Sequence, residues 1–245
     1  MKPVLELKNI HLKGEKSDRL NNLNLKIYQG QRIVLLGSSG SGKSSLIKIA
    51  NGSLYPDSGE VRYNGIELRS LKRRERLKIA TLWQDLRLIE ELSTIQNINA
   101  GALGRHSFLW ALKNLFAPTE LSSSLMYLKA VGLSEEDLNT NVSNLSGGQR
   151  QRVAIARCLM QKGEILLADE PLQGLDPRLA KDALHVLLAI KSKHMLDIPN
   201  TSLIALHRPD LINYFDRLIG IRNGKIMIDN AIKEVDYHEI EKLYR

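Results

Sequence analysis

The chain has 245 residues, 43% of them apolar, and a formal net charge of +8, enough apolar material for one large α/β domain or a core with a subdomain, which excludes a disordered chain. No apolar run reaches the ~18 residues of a membrane-spanning helix, and Met1-Lys2-Pro3-Val4 has no secretory h-region, so the chain is expected to stay in the cytoplasm. Its one cysteine, Cys158, excludes an intrachain disulfide and lies in an amphipathic helical pattern, where it is expected as a small core residue.

In chain order, residues 4 to 10 and 20 to 27 read as strands, the second alternating Leu23, Leu25 and Ile27 against Asn24 and Lys26 before a turn at Gln29-Gly30. An apolar strand, Arg32 to Leu36, then feeds the run Gly37-Ser38-Ser39-Gly40-Ser41-Gly42-Lys43-Ser44-Ser45, and a helical pattern (Leu46, Ile47, Ile49, Ala50) follows and stops at Gly52. A bland reading is a Gly/Ser-rich surface turn. The strand before the run and the Lys-Ser at its end instead make it a phosphate-binding loop: glycines let backbone N–H groups close round a di- or triphosphate, Lys43 adds a point charge, and the Ser44 hydroxyl is placed to ligate Mg²⁺. Val61 to Leu68, broken by Asn64-Gly65, completes with the first two strands a small antiparallel sheet expected to help form the base and ribose pocket.

The densest basic run is Lys72-Arg73-Arg74-Glu75-Arg76, with Lys78 close behind. The net charge is compatible with nucleic acid, an anionic membrane face or a phosphate-rich ligand. This run has no interleaved aromatics, which favours a solvated helix face first and proximity to lipid headgroups second. From Asp85 to about Met160, helical patterns prevail with one proline, Pro118, and an inserted helical subdomain is expected. Strand character returns at Glu164 to Ala168 and Ser202 to Leu206, with a helix between them opened by Asp176-Pro177, so parallel α/β order is expected. Leu218 to Ile221 and Ile226 to Ile228 flank Asn223-Gly224, a hairpin signal, and a short helical tail runs to Arg245 without room for a regulatory domain. There are no internal repeats.

Ile165-Leu166-Leu167-Ala168-Asp169-Glu170 is an apolar strand ending in two carboxylates, expected to lie beside the strand that feeds the loop. Asp169 is then placed to hold Mg²⁺ through water, and Glu170 to deprotonate an attacking water. The competing reading for each is a cap on a following helix. Leu145-Ser146-Gly147-Gly148-Gln149 precedes another helical run. Ser146 with Gln149 forms a capping box, the bland reading, but two glycines in a first turn are poor choices, since glycine costs about 1 kcal/mol relative to alanine in a helix. They indicate close approach to this backbone, as at a second phosphate site.

The phosphate loop, the Leu-Ser-Gly-Gly-Gln run and Ala168-Asp169-Glu170, in this order and spacing, resemble the nucleotide-binding subunit of an ATP-binding cassette (ABC) transporter over essentially the whole chain. The resemblance implies an α/β P-loop NTPase of ABC type: a mainly parallel sheet core (1–84 and 161–245), a small antiparallel β subdomain and an inserted helical subdomain (85–160) carrying the signature run. It implies ATP and Mg²⁺ as ligands, with residues 37–45, Ser146, Gly147, Gly148, Gln149 and Asp176 binding nucleotide and Ser44, Gln84 and Asp169 at the metal. Glu170, His207 and Gln84 are implied as catalytic: Gln84 contacts Mg²⁺ and water, and His207 is the switch at the γ-phosphate. The other histidines (His11, His106, His185, His194, His238) are read as structural or exposed.

By the same resemblance, two subunits pair head to tail, so that Ser146 to Gln149 of one close on ATP held by Lys43 of the other, with Asp176 in the loop crossing to the partner. Motion reaches separate integral-membrane permease subunits through the helical subdomain around residues 85 to 116, at the cytoplasmic face of the membrane, and the full system includes an extracytoplasmic solute-binding protein. Two departures stand out. Residues 1 to 27 contain no Phe, Tyr or Trp to stack on adenine, leaving His11 or the stems of Lys13 or Arg19 as substitutes, and Gly174 stands where serine is frequent. Gly101-Ala102-Leu103-Gly104-Arg105 with Trp110 and Leu115-Phe116, and the segment from Leu206-His207-Arg208-Pro209-Asp210 to Asp216-Arg217-Leu218-Ile219-Gly220, are similar to the ATP-binding subunits of phosphonate and phosphite importers. The alternatives are an ABC exporter or lipoprotein-releasing ATPase, or a non-transport ABC protein on DNA or ribosomes. The last is disfavoured because the chain has neither a second cassette nor a long coiled-coil insertion.

Overall fold

The computed structural model describes residues 2–15, 17–117, 119–190 and 196–244; Met1, Pro118, His194, Arg245 and the side chains of residues 115 and 116 lie outside the described residues. The chain runs β1 (Leu5–Leu12), β2 (Leu20–Ile27), β3 (Arg32–Leu36), α1 (Lys43–Ala50), β4 (Ser58–Tyr63), β5 (Ile66–Glu67), α2 (Arg73–Arg76), β6 (Ile79–Leu82), α3 (Thr94–Ala100), α4 (Phe108–Phe116) and α5 (Leu121–Ala130). It continues through α6 (Gly147–Met160), β7 (Ile165–Asp169), α7 (Pro177–Leu187), β8 (Thr201–Ala205), β9 (Arg217–Arg222), β10 (Lys225–Ala231) and α8 (Tyr237–Lys242). Two compact units result: Met1–Lys72, Leu167–Glu170 and Asn200–Arg245 form the first, and Arg73–Leu166 with Pro171–Pro199 the second.

The first unit holds the expected antiparallel sheet, in the order β2-β1-β4-β5. Leu5, Leu7, Ile10 and Leu12 of β1 and Leu20, Leu23, Leu25 and Ile27 of β2 are buried. Strict alternation would have placed residues 9 and 22 on that face. Asn9 (φ 50°) and Asn22 (φ 49°) instead adopt left-handed conformations, the register between the strands shifts beside them, and the apolar set stays inside. The other sheet of this unit runs β10-β9-β3-β8-β7. Asn223 (φ 49°) and Gly224 (φ 72°) make the expected tight hairpin between β9 and β10.

One expectation is corrected. The carboxylate-bearing strand β7 does not lie beside β3, because both edges of β3 are filled: it pairs in parallel with β8 on one side and with β9 on the other. Strand β8 therefore separates them.

The second unit is mainly helical, and it also contains β6, which lies ahead of the helical pattern that starts at Asp85 and is not among the expected strands. Helix α6 buries Val153, Ala154, Ile155, Ala156, Leu159 and Met160 and packs against α3 and α5. Cys158 is buried, as expected, and burial pushes its thiol up to about 12, so it stays protonated at neutral pH. A buried polar cluster joins three helices: Asn99 Nδ2 donates to Asn114 Oδ1 at 2.8 Å, and the Ser124 hydroxyl donates to Asn99 Oδ1. Helix α2 buries no residue, in line with a solvated basic face. No helix among the described residues is long and apolar enough to cross a membrane.

Candidate functional site

The loop 37–45 lies between β3 and α1, where a hydrophobic strand hands over to a helix N-terminus. Gly37 (φ 156°) is required by space: a Cβ there would meet Ile221 O at 2.2 Å and Ser41 Oγ at 2.6 Å. Gly42 (φ 112°) opens α1, and its carbonyl accepts from Leu46 N at 2.9 Å. Ser39 and Gly40 are exposed, and Ser38, Gly42, Ser44 and Ser45 are partly so. The Gly224 N–H donates to Ser41 O at 3.0 Å, tying the loop to the β9–β10 hairpin.

Lys43 is only 4% exposed, and its Nζ donates to Gly37 O at 2.8 Å and Ser38 O at 3.0 Å. The ammonium thus spans its own loop. Burial pulls its pKa below the ordinary value, and the negative charges of Glu170 and Asp169 oppose that shift. Asp169, 3% exposed at the end of β7, is hydrogen-bonded to Ser44 but leaves Oδ1 buried without a partner. Burial raises its pKa; the Ser44 bond lowers it, Glu170 raises it, and Lys43 and Lys48 lower it. Ser41 Oγ is likewise buried and unpartnered. Unpaired buried oxygens beside an ammonium and a hydroxyl are costly in isolation and fit a site that takes a polar, oxygen-rich ligand with a hard cation.

Glu170 has a left-handed backbone (φ 51°), uncommon and unfavourable for a non-glycine residue. Its N–H donates to Ala205 O at 3.1 Å, and its Oε1 lies 2.6 Å from His207 Nε2. The insertion of β8 between β3 and β7 accounts for this meeting, because His207 lies two residues beyond the end of β8. The first unit therefore gathers residues 37–45, Asp169, Glu170 and His207.

Gln84, Ser146 to Gln149 and Asp176 belong to the second unit. Gln84 is exposed, and its Nε2 donates to Gln173 Oε1 at 3.4 Å. The capping box is real: Ser146 Oγ accepts from Gln149 N at 3.3 Å, and Gln149 Oε1 accepts from Ser146 N at 2.9 Å. Gln149 Nε2 also donates to Asp137 Oδ1 at 3.0 Å, which holds the cap from outside the helix. A Cβ on Gly147 would meet nothing within 4 Å, and one on Gly148 would make only an ordinary contact with Leu175. No neighbour among the described residues thus demands either glycine, and they leave the first turn bare. Asp176 caps α7 by accepting from Arg178 N and Leu179 N, both at 3.0 Å, with Pro177 at the first helical position.

Some neighbours of the loop carry no motif. The Tyr244 hydroxyl is hydrogen-bonded to the backbone of Gly37, an arrangement made by the chain's return through α8 and invisible to any local pattern. An open cleft of about 690 Å³ beside Gly40 is lined by Ser17, Asp18, Asn21, the 222–225 hairpin and Met227. None of these is aromatic. His11, a candidate stacking substitute, is engaged with Asp18 at 3.5 Å.

With this geometry in place, the relatives are informative. Residues 20–173 match the family described as ABC transporter. The phosphonates import ATP-binding protein PhnC of Wolinella succinogenes is 37% identical over 98% of this chain and 88% of its own length, and PhnC 1 of Nostoc sp. is 34% identical over 98% and 92%. Among solved structures, the dimeric bacterial ABC transporter cassette MJ0796 superimposes with a TM-score of 0.80 at 27% identity, covering 94% of this chain and all of that one. A post-hydrolysis dimer of the same cassette, bound to ADP and Pi, gives 0.78 with the same identity and coverage. The chain belongs to the ABC transporter family, with an ABC-type P-loop α/β fold.

Proposed function

We propose that this chain is the ATP-hydrolysing subunit of an ABC importer whose cargo is a phosphonate, phosphite or related phosphorus oxyanion. The observation that carries the hydrolytic reading is the convergence of the glycine loop, buried Lys43 and Asp169, and the Glu170–His207 pair in one unit. The phosphorus cargo rests on nearly full-length similarity to relatives named for phosphonate import.

In this reading the backbone N–H groups of residues 37–45 bind the phosphates and Lys43 neutralises them. Ser44 and Asp169 offer the oxygens that would hold Mg²⁺, with Gln84 as a further ligand; when bound, the ion neutralises charge on the β- and γ-phosphates. Glu170 takes the proton of the attacking water. His207, 2.6 Å from Oε1, holds that carboxylate in the nucleotide-free chain and is the switch that meets the γ-phosphate when ATP is bound. Ser146, Gly147, Gly148 and Gln149 form the bare helix start that a second copy of the chain presents to the nucleotide, and Asp176 adds a contact across that pair. The active form is a head-to-tail homodimer. It works on the cytoplasmic face of the membrane with integral-membrane permease subunits, coupled through a helical subdomain over 85–160, and an extracytoplasmic solute-binding protein delivers the cargo.

Growth and uptake test the whole reading. Cells lacking this gene should lose uptake of radiolabelled methylphosphonate, and the wild-type chain, but not Glu170→Gln, should restore it. Undiminished phosphonate uptake in the deletion strain, with an active purified ATPase, would refute the cargo and leave the hydrolysis standing.

A further inference from the structure

The phosphate loop is held from behind by residues that follow β8. Strand β9 pairs with β3 as far as Leu36, whose partner is Gly220. Beyond that pair the contact continues: the space a Cβ on Gly37 would need is taken by Ile221 O, and the Gly224 N–H donates to Ser41 O at 3.0 Å. Helix α8 then returns across β9. Leu243, 2% exposed, packs so closely on Gly220 that a Cβ there would fall 2.8 Å from Leu243 Cδ1, and Arg222 Nη1 donates to Lys242 O at 2.9 Å. Ile240 and Leu243 are the buried apolar side chains of this segment.

Tyr244 behaves differently. Its residue is 39% exposed, so its ring adds little to the anchoring of α8, and its hydroxyl reaches the backbone of Gly37 instead. That bond favours the phenolate, which makes the phenolic oxygen the acceptor and the Gly37 N–H the donor. Burial outweighs it and holds the phenol above its ordinary pKa, neutral at pH 7. The carbonyl of the same glycine accepts from Lys43 Nζ at 2.8 Å. Both polar groups of Gly37, the freest type of residue in the backbone, are therefore tied down where the strand becomes the loop. Only one of the two ties can persist. Lys43 has to leave Gly37 O to meet a phosphate, whereas Tyr244 has no such duty.

We infer that Tyr244 is a positioning residue for nucleotide binding, which holds the Gly37 backbone in place while Lys43 exchanges its carbonyl partners for phosphate oxygens. The inference rests on the reading of residues 37–45 as the phosphate-binding loop. A loop already ordered at its first residue loses less conformational freedom when phosphate arrives. The contribution therefore falls on nucleotide affinity, and the chemical step stays with Glu170.

Calorimetric titration of the full-length chain with Mg-ADP, together with ATPase kinetics, tests this in the wild type, in Tyr244→Phe and in Tyr237→Phe, an exposed control on the same helix. Phenylalanine keeps the ring and removes only the oxygen. Since one neutral hydrogen bond corresponds to about 5-fold in an equilibrium constant, Tyr244→Phe should weaken ADP binding about 5-fold and raise KM for ATP equally, with kcat within about 2-fold of wild type. Tyr237→Phe should change neither. Hydrogen exchange in the nucleotide-free Tyr244→Phe chain should accelerate in the peptide spanning 37–45 and stay unchanged over 237–243, where Leu243 and Arg222 still dock the helix. Unchanged ADP affinity in Tyr244→Phe, a fall in kcat at constant KM, or lost protection across α8 would overturn the inference, the last pointing to a purely structural hydroxyl. A wild-type chain that bound no ADP would refute the loop reading itself, and the inference with it.

Discussion

Glu170→Gln isolates the chemical step. The amide keeps the shape of the carboxylate and its Oε1 can still accept from His207 Nε2, now 2.6 Å away, but it can no longer take a proton from water. Loss of a positioned general base costs at least ~100-fold, about 2.7 kcal/mol of barrier. Nucleotide affinity should hold or improve, because the loop is held by Lys43 and by backbone groups, and because removing Glu170 removes a negative charge next to Asp169. The assay pairs phosphate release at saturating ATP with equilibrium binding of a fluorescent ATP analogue, and size-exclusion chromatography with ATP should show a trapped dimer. A companion, Glu170→Gly, separates catalysis from backbone strain. The left-handed φ of 51° costs a non-glycine residue about 1–2 kcal/mol, while glycine gives back about 0.5–1 kcal/mol through its freer unfolded state. Its Tm should therefore hold or rise by up to about 4 °C as activity disappears. Turnover within a few-fold of wild type in Glu170→Gln would remove Glu170 as the base, and a fall in Tm of more than about 4 °C in Glu170→Gly would refute the strain argument.

Lys43→Ala should abolish ATP binding, and Ser146→Arg should be inactive alone, yet a mixture of the two should regain part of the ATPase activity, because one composite site keeps both intact halves. No recovery at any mixing ratio would count against composite sites. Asp169→Asn should raise the Tm of the nucleotide-free chain at pH 7 by about 2–4 °C, on the basis of roughly 1 kcal/mol of relieved burial of a charge. Because the folded pKa of Asp169 is raised, the fold prefers its protonated form; the penalty is present above the folded pKa and absent below the unfolded value of about 3.9. The Tm difference should accordingly vanish by about pH 3, and a pH-independent gain would exclude this origin. Since the cleft beside Gly40 is lined mostly by polar and charged groups, with Met227, and lacks an aromatic ring, GTP should be hydrolysed within about 10-fold of ATP, stacking being worth only about 0.5–1.5 kcal/mol where present. A preference for ATP above 100-fold would show that another feature reads the base.

Local chemistry was legible in the residues themselves. The loop from Gly37 to Ser45, the Ser146–Gln149 capping box, the Asp176-Pro177 helix start and the Asn223-Gly224 hairpin each depend on backbone conformation over a few consecutive positions, so residue type and spacing were enough to locate them. Long-range placement was not legible. That β8 lies between β3 and β7 depends on which strands fill each edge of the sheet, and only this brings His207 to Glu170. The register shifts at Asn9 and Asn22 depend on a partner strand, and the contact of Tyr244 with Gly37 depends on the chain's return after more than two hundred residues. The amino-acid sequence by itself determined the parts that grip phosphate and the order in which they occur. Tertiary structure alone decided which base meets which histidine and which carboxylate is buried, because those outcomes are set by pairing and packing between residues far apart in the chain.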